Sequence, residues 1–198
     1  MSPLRAHDEV AAQLRESAAV KVAMSDRDAD TICRIADAIV AAYRAHKKVI
    51  MFGNGGSAAD AQHIVAELLG RFQLSRPALP ALALTTNSSV VTAIGNDFGF
   101  EDVFSRQIEA WAQEGDVVIA LSTSGTSRNV LAAVTAAKRR GALTVALTGG
   151  TGGALTGAVD LALIVPASSP QRIQEAHITV GHVICSLVET ALFGSPSP

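Results

Sequence analysis

Five short apolar segments, separated by helical patterns, limit the folds that this sequence can adopt. Short apolar runs are typical of strands that are buried on both faces. Strands that alternate with helices predict a parallel sheet with helices on both of its faces. We therefore expect one α/β domain over residues 1–198, built on a doubly wound sheet. The predicted strands cover residues 48–52, 79–86, 116–121, 143–150 and 159–166.

The segments around these strands carry apolar residues at helical spacing. Ser57 is predicted as the N-cap of one helix, Gly70 lies near its end, and Pro170 suits the first turn of the last helix. Two extra helices within residues 1–46 precede the sheet core and closing helix of residues 47–198, and we expect them to serve in oligomerisation. The predicted helices cover residues 4–24, 27–46, 57–72, 88–95, 101–113, 127–142 (stopped by Gly141) and 171–192.

Composition limits the partners and the compartment of the protein. Hydrophobic residues make up 48% of the chain and charged residues 17%, so we expect part of the apolar surface to be buried between subunits. The net charge of −2 and the lack of an apolar run near ~20 residues favour neither nucleic acid nor a membrane as partner. The N-terminal segment has no signal-peptide pattern, and Cys33 and Cys185 are predicted to be buried helix residues. We therefore expect a cytoplasmic protein.

The turn after the first strand reads GNGGSA over residues 53–58 and matches the G-x-G-x-x-A pattern of dinucleotide-binding proteins. Those proteins hold the ribose hydroxyls with an acidic residue at the end of the second strand. Here that strand ends in Thr85, Thr86 and Asn87, so the pattern is incomplete. A dinucleotide site is therefore disfavoured, and a tight turn without a ligand stays an alternative.

The loop after the third strand reads STSGTS over residues 122–127 and leads into a helix. Unpaired N–H groups and the helix dipole attract anions at such a point, and Ser122, Thr123, Ser124 and Ser127 add hydroxyl groups. The loop has no lysine and the G-x-x-x-x-G-K-[ST] motif is absent, which disfavours nucleoside triphosphate hydrolysis. The loop predicts a site for the monoester phosphate of a small metabolite, with an N-cap cluster as the alternative.

Four segments, in order, resemble the sugar isomerase (SIS) domain and, more narrowly, the sedoheptulose 7-phosphate isomerases, also called phosphoheptose isomerases. The resemblance covers nearly the whole chain. It implies a five-stranded flavodoxin-like sheet, a homotetramer, and the conversion of sedoheptulose 7-phosphate to D-glycero-D-manno-heptose 7-phosphate in ADP-heptose synthesis. The segments are GNGGSAADAQHIVAEL, AIGNDFGFEDVFSRQ, GDVVIALSTSGTSRNVLAA and RIQEAHITVGHVICSLVE.

The resemblance also implies which residues form the site. The phosphate-binding residues of the family correspond to Ser122, Thr123, Ser124 and Ser127, and one zinc ion is expected per subunit. The sugar-binding residues correspond to Asn54, Gly55, Gly56, Asn96 and Asp97, with Glu67 and Gln174 also on the substrate. The zinc ligands correspond to His63, Glu67, Gln174 and His182.

His63 and Glu67 are four residues apart on one predicted helix, so both side chains leave the same face beyond the glycine turn. Such a pair can bind a divalent metal or set a carboxylate beside an imidazole for proton transfer, with a solvated helix face as the alternative. For aldose–ketose isomerisation we expect Glu67 to be the base and His182 its partner acid or base. A carboxylate that binds a metal is a poorer base, so the two roles compete.

Gln174 and His182 are eight residues apart on the last predicted helix, which means a rise of about 12 Å and a rotation of about 80°. Zinc requires ligand atoms at about 2.0–2.2 Å, so one regular helix hardly brings both side chains to one ion. Either the first turn is distorted or the two residues belong to different chains, and we favour different chains. His177 is expected to be solvated or interfacial. Arg106 and Arg172 are expected to be surface residues, with assistance to a bound anion as the alternative.

Two other functions stay open from the sequence. Non-enzymatic SIS proteins that bind the bacterial replication initiator share the strand motifs but lack the carboxylate and second histidine that this chain has at Glu67 and His182. SIS enzymes for other phosphosugars, such as arabinose 5-phosphate, usually carry added domains for which this chain has no room. Gln171 stands where some phosphoheptose isomerases have an acidic residue, which weakens the prediction of how one sugar hydroxyl is held.

Overall fold

Five strands form one sheet in which every neighbouring pair is parallel, in a computed structural model that describes residues 3–194. Their order across the sheet is β2-β1-β3-β4-β5, so the predicted doubly wound α/β fold is confirmed. The second strand is shorter than its apolar segment suggested. The strands are β1 (Val49–Gly53), β2 (Ala81–Ala83), β3 (Val117–Ser122), β4 (Leu143–Gly149) and β5 (Leu161–Val165).

The helices follow the predicted order, with two differences. Residues 101–113 divide into a short 3₁₀ helix (Phe100–Asp102) and a separate α-helix, and residues 153–158 add a helix that the glycine-rich sequence did not predict. The helices are α1 (Pro3–Arg27), α2 (Ala29–Arg44), α3 (Gly56–Leu69), α4 (Ser88–Asp97), α5 (Ser105–Trp111), α6 (Arg128–Arg139), α7 (Gly153–Ala158) and α8 (Pro170–Phe193).

The start of α3 differs from the prediction. Gly55 precedes the helix with a φ of 55°, a backbone conformation that favours glycine, and the helix begins at Gly56. Ser57 therefore lies inside the first turn, where it is buried, and the predicted N-cap role is wrong. The predicted end is confirmed, because the N–H of Gly70 donates to the carbonyl of Ala66.

Alternate residues of each strand enter two separate cores, as the two-residue period of a strand requires. Val49 and Met51 of β1 pack with α2, α3 and α8 on one face, whereas Ile50 and Phe52 pack with α5 and α6 on the other. The sheet is thus covered on both faces, and the carboxyl ends of its strands leave the core at one edge. Ligand sites of doubly wound folds lie at that edge.

Helices α3 and α8 lie side by side and run in the same direction. Gly56 at the start of α3 contacts Gln174 near the start of α8, and Ile64 contacts Gly181 further along both helices. A Cβ atom on Gly181 would collide with the Ile64 side chain, so the glycine permits this close approach. By length and composition alone α8 could also cross a membrane, but it packs in the core through residues such as Ile184, as a core helix does.

Candidate active site

Two polar loops meet at the carboxyl edge because β1 and β3 are neighbours in the sheet. Gly53 at the end of β1 lies in register with Leu121 of β3, so the β1–α3 turn faces the β3–α6 loop. Asn54 in the turn and Asn129 in the first turn of α6 exchange two amide hydrogen bonds, each 2.9 Å long. Asn129 is buried. This reciprocal pair fixes the position of one loop relative to the other.

The β3–α6 loop is shaped by its own hydroxyl groups. The Oγ atom of Ser122, which is buried, accepts a 3.2 Å hydrogen bond from the N–H of Gly125 and lies 3.3 Å from the Oγ atom of Ser127. Gly125 has a φ of 64° and packs against the carbonyl of Gly152, where no side chain would fit. Ser122 therefore supports the loop from within, whereas the hydroxyl of Ser124 lies at the exposed surface.

The amino end of α6 opens onto this loop. The helix begins at Arg128. The N–H group of Leu131 donates to the carbonyl of Ser127, the last residue of the loop. The side chain of Ser127 makes no capping hydrogen bond, so the N–H groups of the first turn are available to an anion. Ser127 occupies the N-cap position without a side-chain cap, so it does not support the alternative of an N-cap cluster.

Three potential metal ligands converge beyond the glycine turn. His63 and Glu67 of α3 and His182 of α8 each place one ligand atom within 4.8 Å of the others. The Nε2 atom of His63 lies 3.2 Å from Oε1 of Glu67 and 3.3 Å from Nε2 of His182. All three residues belong to one chain, and all three are at least partly accessible from solvent.

The spacing of these atoms fits zinc. A tetrahedral zinc ion with bonds of about 2.0–2.1 Å holds neighbouring ligand atoms roughly 3.3 Å apart. Both contacts of His63 Nε2 are close to that value. Two imidazole nitrogens and a carboxylate are zinc ligands, and three ligands leave the fourth position of a tetrahedral site to a further protein group or to substrate. His63, Glu67 and His182 would hold the ion.

Gln174 lies at the opposite end of the α3–α8 contact from His182. Its side-chain amide packs against Gly56, where an added Cβ atom would lie 2.6 Å from the amide nitrogen. Because α8 is one continuous helix, Gln174 of this chain lies about 12 Å along the axis from His182. Gln174 is thus placed beside the sugar-binding turn of its own chain and apart from the His63–Glu67–His182 group.

Asn96 and Asp97 end helix α4, are exposed, and share a 2.8 Å hydrogen bond between their side chains. The segment that follows them reaches the amino end of α6, where Glu101 pairs with Arg128 at 3.1 Å. The structure therefore links the segment after this predicted sugar-binding pair to the start of α6.

Three expectations about single residues are wrong. His177 is 1% exposed, with Nε2 3.2 Å from the carbonyl of Thr148, and is therefore neither solvated nor interfacial in this chain. Arg172 is buried and donates to the carbonyl of Gln13, which ties α8 to α1. Cys33 is exposed, whereas Cys185 is buried as predicted. Their burial depends on which helix face meets the sheet.

Sequence reasoning missed two residues of the site. Asn129 gave no signal, because its partner Asn54 is 75 residues away and the pairing depends on strand order. Asp60 lies one turn before His63 on α3, and its Oδ2 atom is buried with no hydrogen-bond partner among residues 3–194. Burial raises the pKa of Asp60, and the nearby His63 partly offsets that increase. The helical spacing of Asp60, His63 and Glu67 was the signal that could have found it.

Known proteins identify the family. The family model described as the SIS domain matches residues 14–149. A phosphoheptose isomerase from Geobacter metallireducens is 52% identical over 187 residues, which cover 94% of this chain and 99% of that protein. The chain belongs to the phosphoheptose isomerases. This family assignment confirms the resemblance that its four sequence segments carry.

Solved structures agree with this assignment. A phosphoheptose isomerase from Francisella tularensis has a TM-score of 0.91 and 35% identity, covering 96% of this chain and all (100%) of that one. A phosphoheptose isomerase from Neisseria gonorrhoeae has a TM-score of 0.88 and 40% identity, covering 93% of this chain and 98% of that one. These phosphoheptose isomerases favour an enzyme over the non-enzymatic alternative.

Proposed function

We propose that this protein isomerises sedoheptulose 7-phosphate to D-glycero-D-manno-heptose 7-phosphate, the first step of ADP-heptose synthesis. The observation that carries the proposal is the convergence of His63, Glu67 and His182 on α3 and α8, in a chain whose β3–α6 loop offers hydroxyl and N–H groups to an anion. A phosphosugar needs both features, one for its phosphate and one for the carbons that exchange a proton. Close similarity to named phosphoheptose isomerases supports this choice of substrate.

The phosphate binds in the β3–α6 loop. Ser124, Thr123 and Ser127 donate from their hydroxyl groups, and the N–H groups at the start of α6 add the favourable end of the helix dipole. Ser122 keeps the loop in shape through its bond from Gly125. Asn54, Gly55, Gly56, Gln174, Asn96 and Asp97 contact the sugar.

Isomerisation moves a proton between adjacent carbons through an enediol. Glu67 removes the proton from the carbon acid and returns it to the neighbouring carbon. His182 transfers protons to and from the sugar hydroxyl groups as an acid and base. The Glu67 side chain is 25% exposed, so a bound sugar can reach its carboxylate. A zinc ion held by His63, Glu67 and His182 would supply a Lewis acid for the sugar oxygens.

We also propose that the enzyme is a cytoplasmic homotetramer in which residues 1–46 serve the assembly. Helix α1 exposes Val10, Leu14 and Val22 on its outer surface, which is apolar area that a second chain can cover. Helix α2 differs from α1, because Ile35 and Ile39 bury one of its faces in the core of its own chain. The proposed interface is therefore formed chiefly by α1.

One assay tests the function. The purified protein is incubated with sedoheptulose 7-phosphate, and the aldose signal is followed by NMR. We expect aldose to accumulate to an equilibrium mixture, and we expect sedoheptulose without its phosphate to react far more slowly. Absence of aldose from the phosphorylated sugar, with zinc supplied and the protein folded, would overturn the proposed function.

A further inference from the structure

A buried ion pair lies directly behind the His63–Glu67–His182 group. The Nε atom of Arg76 donates to Oε1 of Glu189 at 2.8 Å, and the two side chains are 1% and 2% exposed. Arg76 belongs to the segment that follows α3, and Glu189 lies on α8, two turns beyond His182. The pair therefore joins the two helices that supply the three ligands.

Arg76 also holds the end of α3. Its Nη2 atom donates to the carbonyl of Glu67 at 2.8 Å, and its Nη1 atom donates to the carbonyl of Leu68 at 2.9 Å. The last carbonyl groups of a helix have no partner within the helix, so this guanidinium acts as a charged C-terminal cap. One of the capped carbonyls belongs to the residue whose carboxylate lies in the site.

Glu189 orders the segment after α3. Its two carboxylate oxygens accept hydrogen bonds from the backbone N–H groups of Phe72, Gln73 and Leu74, at 3.1, 2.7 and 2.8 Å. Burial by itself raises the pKa of the Glu189 carboxyl, but these three donors and Arg76 outweigh it and hold the pKa below its usual value. The carboxylate therefore stays charged, with its oxygens fully used.

The ordered segment returns to the site through Phe72. The Phe72 ring stacks on the imidazole of His182, with centroids 5.7 Å apart and planes at 18°. One ion pair thus restrains Glu67 through its carbonyl and His182 through the ring that packs on it. Neither Arg76 nor Glu189 is among the three ligands.

We propose that Arg76 and Glu189 are positioning residues that hold α3 and α8 at the separation that His63, Glu67 and His182 need to bind zinc. This inference rests on the zinc centre of the proposed function. Residues that orient metal ligands typically change metal affinity by 10–100-fold when they are replaced. None of the hydrogen bonds of Arg76 and Glu189 within residues 3–194 involves the β3–α6 loop.

The test compares Arg76→Lys and Glu189→Gln with wild type. Lysine keeps the charge, but its single nitrogen cannot replace the three nitrogens with which Arg76 bonds Glu189 and two carbonyls. Glutamine keeps the shape but replaces one of the two acceptor oxygens with an NH2 donor. We expect zinc to bind 10–100-fold more weakly to each variant, measured on metal-free protein by competition with a chelator. We expect kcat to fall while KM for the phosphosugar stays within about threefold, since no phosphate contact changes.

Asp116→Asn is the matched control. Asp116 is also a buried carboxylate, and it accepts hydrogen bonds from Lys48 and from the backbone of Gln113. Within residues 3–194 it shares no hydrogen bond with Arg76, Glu189 or the three ligands. We expect this variant to lose stability while it binds zinc as tightly as wild type. If Glu189→Gln proves too unstable to purify, Arg76→Lys and Phe72→Leu decide the matter by the same zinc titration.

The outcomes separate this inference from the proposed function. Zinc affinity within threefold of wild type in folded Arg76→Lys and Glu189→Gln would overturn the positioning role and leave the pair as a purely structural one. An equal loss of affinity in Asp116→Asn would overturn it as well, because the effect would then be general destabilisation. A wild-type protein that binds zinc but forms no aldose would overturn the proposed function and leave the zinc comparison valid.

Discussion

The Nε2 atoms of His63 and His182 lie 3.3 Å apart although 119 residues separate the two in the chain. Their rings meet edge to face, with centroids 5.0 Å apart and planes at 71°. This meeting is a product of helix packing, because the contact of Gly181 with Ile64 lets α8 approach the face of α3 that carries His63. The ligand group therefore depends on two helices of the closed fold and on no single loop.

Replacing Glu67 with glutamine tests its catalytic role. The amide keeps the size of the side chain and removes its basicity, so we expect kcat to fall by about 10²–10⁴. Zinc content is measured on the same samples, because a carboxylate ligand and a base are both lost in this variant. Glu109→Gln, an exposed carboxylate on α5, is the control that should leave kcat unchanged. Activity of Glu67→Gln within threefold of wild type would rule the base out.

Replacing Ser124 with alanine tests the phosphate loop. A hydrogen bond to a charged oxygen contributes roughly 1.5–3 kcal/mol, so KM should rise about tenfold or more with little change in kcat. Ser122→Ala should raise KM and also lower the unfolding temperature, since its oxygen accepts from Gly125 within the loop. Thr135→Ala, at an exposed position on α6, should do neither. Unchanged KM in both serine variants would refute the phosphate assignment.

Replacing Asn129 with leucine tests the link between the two loops. The side chain of Asn54 would lose both amide bonds in a partly buried place, which should cost about 1–3 kcal/mol in the free energy of unfolding. KM should rise as well, because the glycine turn and the phosphate loop would no longer be held in register. Urea unfolding and steady-state kinetics measure the two effects. Normal stability together with normal KM would mean that the pair has no positioning role.

The fold could be predicted from the sequence because the patterns that indicate each strand and helix lie within short segments. The segment VIMFG is apolar throughout and becomes a strand buried on both faces, and Gly70 ends a helix through its own backbone bond. Both predictions depend only on residues that are close together in the sequence. Helix α7 was not predicted because its segment is rich in glycine, which permits many conformations and lowers helical propensity.

The site was only partly predictable, for a different physical reason. His63 and Glu67 could be paired from their spacing on one helix, and His182 followed from family resemblance. Arg76 and Glu189 are 113 positions apart in the chain, and no local sequence pattern indicates that they are in contact. The burial of His177 likewise depends on how α8 turns toward β4, which spacing along the helix does not determine.

The buried His177 predicts how stability changes with pH. Burial lowers the pKa of His177 from 6.5 to about 4, although its bond to Thr148 acts in the opposite direction. Between these two pH values the His177 imidazole is protonated in the unfolded chain but stays neutral in the folded chain. Its contribution to the free energy of unfolding is therefore complete above pH about 6.5 and decreases as the pH falls toward 4. The loss reaches about 3 kcal/mol, since one pKa unit corresponds to 1.36 kcal/mol.

Urea unfolding of wild type and His177→Gln between pH 7.5 and 4.5 measures this contribution. Glutamine can still donate to the Thr148 carbonyl but does not titrate, so its unfolding free energy should depend less steeply on pH. His7→Gln, at an exposed position on α1, should keep the wild-type slope. Identical slopes for wild type and His177→Gln would contradict the prediction.

Mixed oligomers test whether a second chain completes the zinc site. Gln174 lies about 12 Å along α8 from His182 of the same chain. We therefore expect Gln174 to bind the zinc ion of a neighbouring subunit. Gln174→Ala and His182→Ala proteins are each inactive in this scheme. Joint refolding should create some sites in which an intact His182 meets an intact Gln174 from the other chain, and part of the activity should return.

The pair Glu67→Gln and His182→Ala is the matched control. The spacing argument places Gln174 and His182 on different chains, whereas Glu67 and His182 lie in one chain's ligand group within 4.8 Å. Every subunit of that mixture then carries one defective ligand in its own group, so refolding should restore nothing. Activity that returns in this mixture but not in the Gln174→Ala and His182→Ala mixture would place the chain boundary between Glu67 and His182 instead.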